Sequence, residues 1–226
     1  MCSTPTGLQL VFSPMYSAVI PGDDTHTFAV PVIVNGATGD AVTWRTSDPT
    51  AVRIDPDALT GGVLLTMLST ATASSARAPV TITANTKSAC GTSTLTITPG
   101  TTDEWNAGEA RYNDGVPVDG GLRAACSDCH APHADAGHAF NDIAHTPEQT
   151  GGFSDTQLVN IIQNAEIPDG GYFDPTIVSY LQWRAFHQWN LTAAEKTGLV
   201  LYLRSLVPTA QTGTSNFGGS GSGSGG

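Results

Sequence analysis

The sequence is poor in basic residues, in cysteine and in methionine, and it has no long apolar run. Nine Lys and Arg stand against 20 Asp and Glu among 226 residues, so the formal net charge is −11. An acidic chain of this kind is a poor partner for nucleic acid or for an anionic membrane surface. No apolar segment is long enough to cross a bilayer, and no signal peptide is recognisable. We therefore expect neither a nucleic-acid partner nor a transmembrane helix.

The shortage of positive charge is greatest in the second half of the chain. Residues 1–100 hold four basic and six acidic residues, a net charge of −2, whereas residues 101–226 hold five and fourteen, a net charge of −9. Charge complementarity across an interface steers association and fixes register. A protein that docks on the second half is therefore expected to present a basic face or to bind only briefly.

Two of the four cysteines belong to the run Cys126-Ser127-Asp128-Cys129-His130. This C-x-x-C-H pattern is the attachment signature of a c-type haem. Two thiols within one helical turn can add to the two vinyl groups of one porphyrin, and the next residue presents an imidazole to the iron. A zinc site would need two more ligands at matching spacing, and a thioredoxin-like dithiol would need a βαβ context, which the sequence lacks. We expect one covalently attached haem c, held by Cys126, Cys129 and His130.

The other two cysteines, Cys2 and Cys90, bear on where the protein acts. Haem c is attached outside the bacterial cytoplasm, so we expect an exported protein in the periplasm, at the outer surface or anchored to a membrane. Cys2 resembles the lipid-bearing cysteine of a bacterial lipoprotein, which implies a lipid anchor. The alternative is a disulfide between Cys2 and Cys90, which an oxidising compartment permits. Both interpretations remain open at this point.

Residues 7–98 alternate between apolar and polar side chains in short runs that turn residues separate. β-branched residues dominate these runs, a pattern typical of an antiparallel sandwich. The stretch Val42–Val52, which contains Val-Thr-Trp-Arg-Thr-Ser-Asp-Pro, resembles the bacterial Ig-like (Big-type) family. The resemblance implies that Trp44 lies in the core and that the first strand runs beside the last, which would place Cys2 near Cys90.

Beyond residue 100 the pattern becomes helical. Two capping boxes, at Ser154–Gln157 and Thr192–Glu195, each open a stretch with apolar residues at helical spacing. The segments Gly108–Tyr112 and Leu191–Leu206 resemble the first and last helices of class I cytochromes c. That resemblance implies an all-α cytochrome c fold in which the glycine of the first helix packs directly against the last helix.

Together these patterns predict two domains of different fold class. An all-β Ig-like sandwich is expected over residues 1–99 and an all-α cytochrome c fold over residues 100–210. The end of the chain, residues 211–226, is rich in Gly and Ser and is expected to be a flexible tail.

The second half has no methionine, the usual sixth ligand of class I cytochromes c, since the last of the three methionines is Met67. A histidine must then take this place if the iron is six-coordinate. His187 stands where the family's methionine precedes the final helix, so we expect His130 and His187 to be the axial ligands. His145 is the next candidate, and an open or water-bound position is the third. Bis-histidine ligation is expected to give a lower reduction potential than histidine with methionine.

The expected function is electron transport by outer-sphere transfer, without bond chemistry and hence without enzyme activity. Redox partner proteins, or a membrane-bound complex, would exchange the electron, and the Ig-like domain would serve as a spacer or docking module. A haem enzyme that reacts with peroxide or small gases is the alternative if the sixth position is open. A further alternative is a fixed electron wire within a larger surface assembly.

Overall fold

The structure is a computed structural model, and it describes residues 7–37, 39–58, 61–70, 78–114, 116–118, 121–123, 125–130, 145–166, 168 and 187–209. Cys2 and the Gly/Ser segment 211–226 lie outside the described residues. No helix in the described part of the chain is both long and apolar enough to span a bilayer.

The first hundred residues form two packed β-sheets and a small accessory pair. Their strands are β1 Gln9–Leu10, β2 Met15–Val19, β3 Ala29–Val32, β4 Val34–Asn35, β5 Thr43–Thr46, β6 Val52–Pro56, β7 Val63–Met67, β8 Val80–Asn85 and β9 Cys90–Pro99. One sheet has the order β2-β9-β8-β5, the other has the order β3-β7-β6, and β1 pairs with β4. Every ladder is antiparallel except that of β2 with β9, so the first strand of the large sheet runs parallel to the last.

The inner faces of the two sheets enclose the main apolar core. Met15, Leu65, Ile82 and Leu95 are fully buried there, one on each of four strands. Their alternation with polar neighbours along β8 and β9 follows from the two-residue period of a strand. Trp44 is half-buried and packs against this core. The described strands thus form an Ig-like β-sandwich.

The remaining elements are α1 Thr102–Asn113, β10 Val116–Val118, β11 Gly121–Arg123, α2 Ser127–His130, α3 Pro147–Thr150, α4 Asp155–Asn164 and α5 Ala193–Ser205. The strands β10 and β11 pair as an antiparallel hairpin. The capping boxes open α4 at Ser154 and α5 at Thr192, and a further one opens α1 at Thr101.

The prediction of an all-α cytochrome c fold for residues 100–210 is wrong. The described part of the chain contains eleven strands, two of them after α1, and its helices are few and short. Helix α5 also does not belong to a separate helical core, because Leu201 is buried in the apolar core of the sandwich while Leu199 and Leu203 face a second cluster. Helical periodicity predicts a helix from its own residues but does not show which layers the helix will join.

Helices α1 and α5 cross at two glycines whose backbones touch. A Cβ on Gly108 would lie 1.9 Å from the carbonyl oxygen of Gly198, and a Cβ on Gly198 would lie 2.1 Å from the carbonyl oxygen of Glu104. The close packing of Gly108 on the last helix, which the family resemblance implied, is therefore confirmed. This contact sets the distance between the two helices.

The buried side chain of Arg204 joins α5 to the sandwich. Its exposed fraction is 2%. Its Nη1 donates to the carbonyl oxygen of Tyr16 on β2 at 2.9 Å, and its Nη2 donates to the carbonyl oxygen of Phe153 and to Asp155 Oδ1, both at 2.7 Å. Burial lowers the pKa of Arg204, and Asp155 opposes that shift by favouring the charged form. One guanidinium thus links three segments of the chain.

Candidate functional site

Three histidines of the second half lie together, and one of them is the histidine of the C-x-x-C-H motif. The rings of His130 and His145 are stacked, with centroids 3.8 Å apart and planes at 14°. The ring of His187 meets that of His130 edge-on, with centroids 6.0 Å apart. Cys126 is half-buried and packs against the second apolar cluster, whereas the side chain of Cys129 lies outside the described part of the structure. The structure thus gathers all three candidate iron ligands at one place.

Backbone hydrogen bonds hold the motif and its neighbours in this arrangement. The short helix α2 closes with the amide of His130 donating to the carbonyl oxygen of Cys126 at 2.9 Å. The His130 carbonyl oxygen in turn accepts from the amide of His145 at 3.0 Å and from the hydroxyl of Tyr112 at 3.2 Å. Helix α1, through Tyr112, and the segment at His145 are therefore both attached to the residue that follows the second cysteine.

Burial keeps the groups around this cluster neutral. It lowers the pKa of His145, and the proximity of His130 and then of His187 lowers it further. Burial likewise raises the pKa of Tyr112, with smaller contributions from Cys126 and Tyr202. The imidazole of His145 and the phenol of Tyr112 are therefore both neutral near pH 7.

The distances among the histidines distinguish the two candidates for a sixth ligand. Two imidazoles that bind one metal ion from opposite sides, with metal–nitrogen bonds of about 2 Å, have ring centroids about 6 Å apart. The separation of His130 and His187, 6.0 Å, has this value. The stacked pair of His130 and His145, at 3.8 Å, leaves no room for an ion between the rings. The stacking thus excludes an ion between the rings of His130 and His145, whereas the spacing of His130 and His187 is compatible with one and equals that of the packed rings of Tyr112 and His145.

One buried atom of the cluster lacks a partner. Nδ1 of His145 is inaccessible to solvent and has no hydrogen-bond partner in the described structure. Buried polar atoms are almost always satisfied by protein, water or a bound group. A water molecule or a bound group would have to supply the partner of this nitrogen. The thiols of the motif and the three imidazoles are donors of the kind that attach and ligate a haem c.

No group of three or more His, Cys, Asp and Glu side chains in the described residues is arranged to hold a metal ion by itself. A haem iron needs only axial ligands from the chain, since the porphyrin supplies the other four.

Sequence reasoning missed Arg111, which lies on α1 one residue before Tyr112. Its Nη2 donates to the carbonyl oxygen of Asn190 at 3.0 Å, and its guanidinium carbon is 5.1 Å from the ring centroid of Trp189. Its Nε is 3.5 Å from Glu195 Oε1. All three partners lie about eighty positions further along the chain, so no local pattern in the sequence could have revealed them.

The structure also bears on the cysteines outside the motif. Cys90 is disulfide-bonded, whereas Cys126 is not part of a disulfide. Gly7 forms an isolated parallel bridge with Cys90, so the chain near its start runs beside the beginning of β9. Gly7, five positions after Cys2, thus lies beside Cys90.

No family model matches the chain, and no curated protein matches it. Solved structures that it resembles include a chimeric titin Z1Z2 functionalised with a KLER peptide from decorin, at 17% identity over 43% of this chain and 98% of that chain, with a TM-score of 0.30. They also include the titin M3 domain, at 11% identity over 41% and 95% with a TM-score of 0.29, and titin M4, at 10% identity over 43% and 100% with a TM-score of 0.30. The Ig-like assignment rests on the strand order given above.

Proposed function

We propose that the chain is an exported electron-transfer protein that carries one haem c. In this proposal Cys126 and Cys129 attach the haem covalently, and His130 and His187 bind its iron. The observation that carries the proposal is the grouping of His130, His145 and His187 at a C-x-x-C-H motif. The proposal concerns the cofactor and the ligands, which are those of a class I-like monohaem cytochrome, and not the fold of the helices.

The residues of the chain have separate tasks in this proposal. The thiols of Cys126, just before α2, and of Cys129, within it, would hold the haem. The hydrogen bonds to the His130 carbonyl oxygen hold this segment against α1. His187 would bind the iron together with His130, and the haem would then supply one-electron transfer and offer no position for a substrate. The Ig-like sandwich then serves as spacer or docking module. A redox partner with a basic face suits the acidic second half, whether that partner is soluble or part of a membrane complex.

The disulfide of Cys90 makes the proposal more specific about Cys2. The chain has four cysteines, and Cys126 is not part of a disulfide. If Cys129 is bonded to haem, the partner of Cys90 is Cys2. We therefore favour a Cys2–Cys90 disulfide over a lipid anchor at Cys2, and an oxidising compartment such as the periplasm follows from either the disulfide or the haem.

The haem assignment is tested by exporting the chain in a host that matures c-type cytochromes. We expect one haem per chain that survives denaturation, in a protein whose non-reducing peptide map contains Cys2 linked to Cys90. The double variant Cys126→Ser/Cys129→Ser is expected to retain no covalent haem, because the thioether bonds cannot form. A wild-type chain that matures without bound haem, beside a control cytochrome that does acquire it, would overturn the proposed function.

The axial ligands are tested by a matched pair of variants, His187→Ala and His145→Ala. We expect His187→Ala to keep its haem, because both thiols remain, but to change from a low-spin to a high-spin optical and EPR spectrum. His145→Ala is expected to remain low-spin, because this ring stacks beside His130 and does not face it across the iron. The reverse result, a low-spin His187→Ala and a high-spin His145→Ala, would assign the sixth position to His145.

A further inference from the structure

We propose that Arg111 is the positioning residue for the segment that carries His187. The inference rests on the proposed function, because it concerns how the sixth ligand is held at the iron. Arg111 belongs to α1, the helix that also supplies Tyr112 to the carbonyl oxygen of His130. Helix α1 would then hold the segment of His130 through Tyr112 and the segment of His187 through Arg111.

The guanidinium of Arg111 contacts three groups of the segment before and at the start of α5. Its face lies against Trp189, one of its nitrogens donates to the carbonyl oxygen of Asn190, and Nε lies near the carboxylate of Glu195. The Arg111 side chain is 13% exposed and that of Glu195 is 24% exposed, so solvent screens their attraction only in part. A planar cation can stack on an aromatic ring and donate in its own plane at the same time, which a lysine ammonium cannot do.

Trp189 anchors the loop that carries His187. Trp189 is 6% exposed, belongs to the second apolar cluster, and donates its amide to the carbonyl oxygen of Ile162 on α4 at 3.2 Å. His187 precedes it by two residues, so the two Cα atoms are at most about 7 Å apart. Holding Trp189 from one side by α4 and from the other by Arg111 therefore confines His187 to the neighbourhood of the histidine cluster.

Arg111 also contacts the far end of this loop, where α5 begins. Glu195 accepts from the amide of Thr192 at 2.8 Å, as the second half of a capping box. Burial acts to raise the pKa of Glu195, but the hydrogen bonds from Thr192 and the charge of Arg111 outweigh it, so the pKa lies below its ordinary value. The carboxylate is thus charged at neutral pH, and Arg111 contacts both the loop and the cap that ends it.

Without the guanidinium the loop keeps its hydrogen bond to α4 and its apolar packing beside Tyr112, but it loses the polar contacts that Arg111 makes from α1. The sixth ligand should then leave the iron more often, because the angle and the distance of His187 are no longer held from both sides. The effect is expected on ligation and not on haem attachment, since both thiols lie elsewhere in the chain.

The experiment compares the mature haem protein with its Arg111→Met and Arg111→Lys variants, and with Arg53→Met as a matched control. Arg53 lies on the sandwich, its side chain is 60% exposed, and it pairs with Asp55. The measurements are the haem content, the spin state of the oxidised protein, and the rate at which the reduced protein binds carbon monoxide. We expect Arg111→Met to retain one haem, to gain a high-spin fraction and to bind carbon monoxide at least about tenfold faster than wild type. Arg111→Lys is expected to fall between the two, and Arg53→Met to match wild type.

The outcomes separate this inference from the proposed function. A wild-type protein with low-spin haem, together with an Arg111→Met variant that binds carbon monoxide within twofold of the wild-type rate, would overturn the role of Arg111 and leave the proposed function standing. If Arg111→Met does not yield folded protein, Arg111→Lys decides: a rate at least threefold above wild type supports the inference, and an unchanged rate overturns it. A wild-type chain without haem overturns both.

Discussion

Replacing Arg204 with methionine is expected to lower the free energy of unfolding by about 2–4 kcal/mol, somewhat less than for a fully buried ion pair, because the carboxylate of Asp155 is 32% exposed. The guanidinium donates to two backbone carbonyl oxygens, of Tyr16 and Phe153, and to the carboxylate of Asp155. Methionine fills a similar volume but takes the donor from both carbonyl oxygens and leaves Asp155 with its hydrogen bond from Thr98. An unsatisfied buried acceptor costs about 1–3 kcal/mol. The loss should therefore far exceed that of an exposed arginine.

Urea denaturation followed by circular dichroism would measure this effect. Arg53→Met is the control, because that arginine is largely exposed and surface substitutions usually change stability by about 0.5 kcal/mol or less. Adding Asp155→Asn to Arg204→Met should recover part of the loss, because the carboxylate is then no longer left without its cation. A loss below about 1 kcal/mol for Arg204→Met would show that the backbone acceptors find other donors and that the link between α5 and the sandwich is weak.

The strands and the helix starts could be predicted because their signals are local. The alternation of Val80–Thr83 and of Thr94–Thr98 marks β8 and β9, and a serine or threonine followed three residues later by Gln or Glu marks the starts of α4 and α5. Arg204 could not be predicted in the same way. A basic residue in the last turn of a helix is ordinarily a solvated partner of the helix dipole, and its three acceptors come from segments 49 to 188 positions away.

The same distinction explains the error about the second half of the chain. The apolar residues of α5 predict a helix, but they do not show that Leu201 is buried with the sandwich while Leu199 and Leu203 face the cluster around Tyr112. A helix that is apolar on several sides can lie between two layers. The family resemblance correctly implied the contact at Gly108, which depends on two backbones, but it did not supply the fold around that contact.

The residues of the candidate site could also be predicted from local patterns, but their arrangement could not. Cys126, Cys129 and His130 could be proposed because the motif is contiguous, and His187 and His145 could be proposed because few other groups in the second half can bind iron. How the rings of His145 and His187 lie against that of His130 comes only from the structure. The hydrogen bond from the His145 amide to the His130 carbonyl oxygen accounts for the stacking of these two rings.

Replacing Gly108 with alanine is expected to lower the free energy of unfolding by about 2–4 kcal/mol, even though alanine favours a helix over glycine by about 1 kcal/mol. The added Cβ would lie 1.9 Å from the carbonyl oxygen of Gly198, which is backbone and cannot rotate away. Helices α1 and α5 must therefore move apart, and every contact between them weakens at once. The control is Asn106→Ala, at an exposed position of the same helix, which should leave stability unchanged or raise it slightly.

The substitution Gly108→Ala should also disturb the histidine cluster. Helix α1 carries both Tyr112, which donates to the carbonyl oxygen of His130, and Arg111, which contacts the loop of His187. If Gly108→Ala shifts α1 away from α5, the mature protein should lose stability in urea and also show a larger high-spin fraction than Asn106→Ala. A variant that loses stability but keeps the wild-type spectrum would show that α5 and the loop before it hold His187 without help from α1. A variant as stable as the control would show that the two backbones are not in contact in solution, because no side chain can absorb an overlap of this size.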